Sequence, residues 1–255
     1  MDLGLNGRRY LVGGGSRGLG AAIAETLVAE GAQVAVMARE SEELTATAER
    51  IGATAMPVDL ARSDGPETVV RQAVATLGGL DGVLVNSGGP PTGTFEAVDE
   101  AGWTKAIEGT LLSAMRLIRA SIEPLRDSDA PALLIILSSS VREPIPALVT
   151  SNVLRPGLAG LIKSLVTEIA PIRINGLAPG RIDTDRVRSL DRTRATEEAL
   201  TVEEVQARMQ ARIPLGRYGQ PLEVGRIGAF LLSPAASYVN GAIVPVDGGM
   251  IRSLP

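Results

Sequence analysis

Neither cysteine nor histidine occurs anywhere in the 255 residues of this chain. Without cysteine there are no disulfides, no thiol nucleophile and no thiolate ligands for zinc. Without histidine the commonest general base and the commonest metal ligand are missing together. A Ser-His-Asp triad or a zinc hydrolase cannot be built from what remains, and no metal site is expected. Lysine is nearly as scarce. Only Lys105 and Lys163 stand beside a large excess of arginine, a bias that reflects genome composition or heat adaptation more than function. No apolar run approaches membrane-spanning length, and the opening MDLGLNGRRY lacks the basic and apolar regions of a signal peptide. The net charge of −4 gives no support for nucleic acid or an anionic membrane as a partner. A cytosolic location is the expectation.

What is present is a globular balance, 45% hydrophobic and 21% charged, able to bury a sizeable core. Short β-branched runs alternate with longer amphipathic stretches. Strands are predicted at 9–14, 33–38, 54–59, 82–86, 132–137, 172–178 and 242–247, and helices near 18–30, 41–50, 64–77, 99–126, 157–170 and 220–232. Apolar strands separated by helices indicate an α/β fold whose parallel sheet is covered on both faces. Right-handed crossovers then make it a three-layer, doubly wound Rossmann arrangement of about seven strands. No repeat or low-complexity linker divides the chain, so 1–255 reads as one domain. The charged stretch 181–217, with a short helix expected near 202–212, follows the carboxyl end of a strand. Such sheets bind ligands there, and the segment is read as covering a substrate cleft, although a solvated helical hairpin would have the same composition.

GGGSRGLG (13–20) follows the first strand and opens a helix, the setting in which a Gly-rich turn holds a diphosphate on helix N–H groups. Gly14, Gly18 and Gly20 allow the tight turn. The second strand ends MARE (37–40). An acid there would grip the adenosine ribose of NAD, whereas Arg39, with Arg17 in the loop, suits the 2′-phosphate of NADP. Glu40 is the opposing signal. NADP(H) is favoured over NAD(H).

Several segments together resemble the short-chain dehydrogenase/reductase family, in particular its 3-oxoacyl-acyl-carrier-protein reductase branch. They are LVGGGSRGLG (11–20), PVDL (57–60), LVNSGG (84–89), the serine cluster after Leu137, INGLAPGRIDT (174–184) and the tail 213–249. The resemblance runs almost end to end. It implies that Gly14, Ser16, Arg17, Gly18, Leu19 and Gly20 line the phosphates. By the same likeness Asp59 and Leu60 flank the adenine, Asn86, Ser87 and Gly88 sit beside the adenosine half, and Pro179, Gly180, Ile182 and Thr184 hold the nicotinamide end. Two departures are small: Gly13 stands where the family has threonine, and Ser87 where it has a second asparagine. A homo-oligomer, commonly a tetramer, built through helices near 99–126 and 157–170 and the last strand, is also implied.

The catalytic positions depart further. The resemblance implies a tyrosine acid, a lysine that tunes it and holds the ribose, a serine that orients the carbonyl and an asparagine that supports a water. In this chain the asparagine position falls on Thr110, and the serine position within Ser138–Ser140. Ser138, thirteen residues before Ser151, is the first choice and Ser139 the second. Read back from GLAGLIKSLVTE (157–168), the tyrosine and lysine positions fall on Ser151 and Arg155. Ser151 can donate a hydrogen bond but is a far weaker acid than tyrosine. Arg155, with an ordinary pKa above about 12, cannot shuttle protons but can bind ribose and stabilise a developing oxyanion. Pro156 suits a helix start and disrupts a helix interior, so the helix is expected to begin or kink near Arg155, with 149–155 as loop. Two readings follow. One is an NADP(H)-dependent reductase of a small carbonyl or conjugated acyl thioester, and the other a weakly active or inactive NADP(H)-binding protein that senses redox state or joins an oligomer.

Overall fold

Seven short, largely apolar runs rich in Val, Ile, Leu and Ala form the strands, because such side chains suit a pleated surface that is buried from both sides. They are β1 (Arg9–Gly13), β2 (Gln33–Ala38), β3 (Thr54–Pro57), β4 (Gly82–Val85), β5 (Ala132–Ile136), β6 (Arg173–Pro179) and β7 (Ile243–Val246). The computed structural model describes residues 1–253, so the last two residues of the expected 1–255 span lie outside the described residues. All seven strands pair in parallel in the order β3-β2-β1-β4-β5-β6-β7. The central β4, β5 and β6 are buried at every position, while the edge strands β3 and β7 stay partly exposed.

The helices are α1 (Gly18–Ala29), α2 (Glu42–Ile51), α3 (Gly65–Leu77), α4 (Glu100–Ala106), α5 (Ser113–Arg126), α6 (Val149–Glu168), α7 (Asp185–Glu198), α8 (Val202–Gln210) and α9 (Pro221–Leu232). Alternation along β1 divides the core: Leu11 joins the cluster beneath α3, α5 and α6, whereas Tyr10 and Val12 join that beneath α1, α2 and α9. Each fully buried aliphatic side chain in these layers contributes about 1.5–3 kcal/mol relative to exposure. No helix among the described residues is long and apolar enough to cross a membrane.

Two expectations need correction. The first concerns α6, which begins at Val149 and carries Pro156 inside it. Tertiary hydrogen bonds fix its first turns. Thr150 Oγ1 donates to the Pro91 carbonyl at 2.6 Å, and the Asn152 side chain accepts from Ile145 N at 3.0 Å and donates to Ile145 O at 2.9 Å. Pro156 removes one helical donor, and its ring faces solvent, so the helix continues through it. The second concerns 181–217, which holds two helices where one was expected. Thr184 caps α7, and the buried Asp191 draws that polar helix onto the body by pairing with Arg181 and accepting from Tyr218 Oη at 3.0 Å.

Candidate active site

Every element that carries a candidate residue delivers it at the carboxyl end of a strand. The sheet order reverses between β1 and β4, where doubly wound sheets open a crevice. The Gly loop leaves β1 and turns directly into α1. Gly14 and Gly18 adopt left-handed φ values of 61° and 59°, and a Cβ on Gly20 would lie 2.3 Å from the Gly14 carbonyl oxygen. Arg17 at the head of α1 makes no side-chain cap, and no acid occupies the first turn. The free N–H groups there suit a diphosphate. Leu19 packs into the core beneath α1, and the Ser16 carbonyl accepts from Thr47 Oγ1 at 2.7 Å.

Arg39 is exposed at the end of β2 with no carboxylate within 4.0 Å among the described residues, whereas the Arg17 guanidinium lies 3.7 Å from Glu43. Asp59 and Leu60 follow β3; the Asp59 carboxylate accepts from Ala61 N at 3.0 Å, and Leu60 leans on the core. After β4, Asn86 Nδ2 donates to the Gly13 carbonyl at 3.1 Å and so ties that loop to the Gly loop, with Ser87 half-buried and Gly88 exposed beyond it. After β6, buried Pro179 leads to Gly180, whose N–H donates to Val246 O at 3.0 Å, and to buried Ile182, which bridges to Gly219. The Thr184 methyl would lie 3.6 Å from a Cβ on Gly18, so the start of α7 rests against the Gly loop. The glycines, the free helix N–H groups and Arg39 stand at neighbouring strand ends, an arrangement suited to a dinucleotide.

Beside it, after β5, lies a buried polar cluster. Ser138 caps a short turn by accepting from Ser140 N at 3.1 Å, and Ser139 is buried within that turn. Ser140 Oγ lies 3.1 Å from Ser151 Oγ on the first turn of α6. The structure thus brings Ser140, which was not among the chosen positions, to Ser151. The two-residue step from Ser138 along the turn that produces this was hidden in three identical letters.

One helical turn on, Arg155 is 6% exposed and donates to the Ile136 carbonyl, with no carboxylate within 4.0 Å among the described residues. Burial, with the nearby Arg186 charge, pushes its guanidinium down to about 10, lower than the sequence reading assumed and still protonated at neutral pH. Thr110 lies in a π-helical segment (Ile107–Leu112) between α4 and α5. It is 1% exposed, and its Oγ1 has no hydrogen-bond partner among the described residues. Such segments interrupt helices most often at functional sites.

No tyrosine or lysine replaces the missing pair. Tyr10 is buried in β1 with its hydroxyl 3.4 Å from Leu232 O, Tyr238 is fully exposed, and Lys163 lies near Gly241. The Tyr218 hydroxyl is held by Asp191; burial first, and Asp191 next, push it up to about 12 against the opposing charge of Arg181. Arg186, which the sequence reading did not single out, reaches from α7 to the loop after β4. Its Nη2 donates to the Pro90 carbonyl at 2.9 Å.

Comparison with known proteins identifies the family and agrees with the fold. The family model described as enoyl-(acyl carrier protein) reductase matches residues 14–251. A rhamnolipids biosynthesis 3-oxoacyl-[acyl-carrier-protein] reductase of Pseudomonas aeruginosa is 32% identical over 96% of both chains. The crystal structure of L-sorbose reductase from Gluconobacter frateurii, complexed with NADPH and L-sorbose, superposes with a TM-score of 0.94 at 27% identity over the whole of both chains. An NADPH-bound short chain oxidoreductase from Pseudomonas aeruginosa, described as containing an atypical catalytic center, superposes with a TM-score of 0.87 at 28% identity, covering 98% of this chain and 99% of its own. This chain belongs to the short-chain dehydrogenase/reductase family of oxidoreductases and is similar to its 3-oxoacyl-acyl-carrier-protein reductases.

Proposed function

We propose that the protein is an NADP(H)-dependent reductase of a carbonyl or conjugated acyl thioester, working through Ser140, Ser151 and Arg155 in place of a tyrosine–lysine pair. The observation that carries this reading is the buried guanidinium of Arg155, one turn from two hydroxyls that touch each other and with no acid to neutralise it. An unpaired buried charge is costly to keep, and a relic site gains nothing from keeping it. Arg39 and the phosphate loop support the phosphorylated cofactor, as do the NADPH complexes of two structural relatives.

Bound at the carboxyl ends of the strands, the dinucleotide supplies the hydride. The chain's own residues do the rest. Ser151 and Ser140 donate hydrogen bonds to the substrate carbonyl oxygen, with Ser138 holding the turn that presents Ser140. Arg155 stabilises the negative charge that develops on that oxygen, a contribution worth about 10²–10³ in rate for a preorganised donor. None of these groups is an acid suited to neutral pH, so the proton comes from water, for which the Thr110 hydroxyl is an anchor. Losing a side-chain acid costs about 10²–10⁴. Addition to a conjugated thioester tolerates that loss better than simple ketone reduction. Helices α7 and α8 form the wall of the substrate cleft. The protein acts in the cytosol as a homo-oligomer.

A single-turnover assay with enzyme in excess over NADPH, run against 3-oxoacyl and enoyl thioesters and small ketones, tests the reading. Nicotinamide absorbance should fall with at least one substrate, about 10²-fold more slowly in Ser140→Ala and Arg155→Ala. NADPH that binds but is oxidised by no substrate would leave the protein as a cofactor-binding sensor or oligomer partner.

A further inference from the structure

The arginines of the 181–217 segment fall into two groups. Arg181, Arg188, Arg194, Arg208 and Arg217 each lie within ion-pair distance of an aspartate or glutamate. Arg186, Arg192 and Arg212 do not, and all three are exposed; Arg192 and Arg212 make no side-chain hydrogen bond among the described residues, whereas Arg186 makes one, although not to Asp183 or Asp185, which flank it in sequence. Both of those carboxylates are taken by Arg188, at 2.9 and 3.1 Å. The Arg186 side chain turns the other way, across the crevice toward the loop after β4. Its only hydrogen bond there, among the described residues, is to the Pro90 carbonyl, and a Cβ on Gly89 would lie 3.2 Å from its guanidinium. Glycine at 89 thus gives the group room against that loop without a small shift of either. The same loop is tied to the start of α6, where Thr150 Oγ1 donates to the Pro91 carbonyl at 2.6 Å, so Arg186 reaches the turn that carries Ser151 and leads on to Arg155, which has no carboxylate within 4.0 Å among the described residues. Two guanidinium groups thus approach the first turns of α6, each on a neutral carbonyl oxygen and with no carboxylate partner among the described residues. Like charges in a partly dry site repel, and an anion that joins them is held by both Coulomb attraction and planar, two-pronged hydrogen bonds.

We propose that the substrate is a small oxo acid, its carboxylate held by Arg186 while its carbonyl oxygen faces Ser140, Ser151 and Arg155. This rests on the reductase reading; of its two substrate classes it takes the carbonyl compounds over the thioesters and narrows them to those carrying an anionic group near the reacting carbon, with Arg155 offsetting the alkoxide charge that a missing acid leaves. In the reaction the carbonyl carbon accepts hydride, the C=O π pair moves to oxygen, and that oxygen takes a proton from water. The oxo acid becomes a hydroxy acid as NADPH becomes NADP+. Arg186 touches only the carboxylate, so it sets specificity and takes no part in proton transfer.

The probe is oxalate, a dianion with no reducible ketone. Calorimetric titration of oxalate into NADP+-saturated protein should give saturable binding, weakened about 10–100-fold in Arg186→Gln and partly recovered in Arg186→Lys. NADPH affinity, read by cofactor fluorescence, and the melting temperature should match wild type in both variants. If Arg186→Gln weakens NADPH as much as oxalate, the residue serves the cofactor diphosphate and the proposal is overturned. If wild type binds NADPH but not oxalate, the oxo-acid substrate is overturned while the reductase reading stands. If wild type binds neither dinucleotide, the reductase reading itself fails.

Discussion

Arg155 is the side chain on which the proposed chemistry turns. An alkylammonium buried to the same degree could shed its proton near neutrality, whereas the guanidinium, even pushed down to about 10, holds its charge across the physiological range. In the proposed mechanism it serves as a fixed electrostatic group and proton delivery is left to solvent. Ser140 and Ser151 complement it with donors that carry no charge. Arg39 plays a simpler part: exposed and unpaired, it can turn toward a 2′-phosphate without breaking an existing contact. Arg39→Ala should therefore weaken NADPH by about tenfold or more and leave NADH nearly unchanged, as read by fluorescence titration of both cofactors. An equal loss for both would remove the 2′-phosphate assignment. At this scale the sequence was legible where residue type alone sets what a side chain can do, as with the permanent charge of Arg39 and Arg155. It was silent where direction decides, because nothing in SSS tells which hydroxyl a short turn will aim at Ser151.

Among the elements, α6 and the α7–α8 pair show how tertiary contacts overrule local preference. Proline at 156 reads as a helix start, yet Thr150 and Asn152 reach outside the helix for Pro91 and Ile145 and secure its beginning at Val149. That early start places Ser151 on the helix, a turn from Arg155. Helix α7, almost wholly polar, is anchored through Asp191, Arg181 and Tyr218, three residues far apart in pattern but joined in space. This anchor has a pH signature. Tyr218 titrates near 12 in the fold against about 10 in the unfolded chain, so the fold keeps its proton longer. Its stabilisation is complete below pH 10 and is lost as pH rises through 12. Arg155, depressed in the fold, acts in the opposite sense over the same window, so wild type is best compared with Tyr218→Phe. The variant should be about 1–3 kcal/mol less stable at pH 9 in urea unfolding, and the gap should close toward pH 12. A gap independent of pH would show that the Tyr218 hydroxyl does not act through its proton.

Taken whole, the molecule is a two-faced parallel sheet whose carboxyl edge gathers residues from six of its strand ends. Its outer surface leaves Ile107 and Val153 exposed, Val153 at 54%, on the π-helical segment and on α6, near the stretches that the family resemblance would place in an assembly. Light scattering should give a mass of several chains, and Val153→Glu should lower it, since a charge is poorly tolerated at the centre of a subunit contact. A monomeric wild type would remove the oligomer from the reading. The sequence by itself determined the fold class, the strand positions to within a residue or two at most ends, the phosphate loop and the family, since each depends on periodicity or on a short contiguous motif. Only the tertiary structure decided which serine meets Ser151, where α6 begins, that Arg155 lies unpaired by any acid, and that Arg186 crosses to Pro90. Those are relations between residues tens of positions apart. They are set by how the β4, β5 and β6 loops converge when the sheet closes, and no local pattern records that convergence.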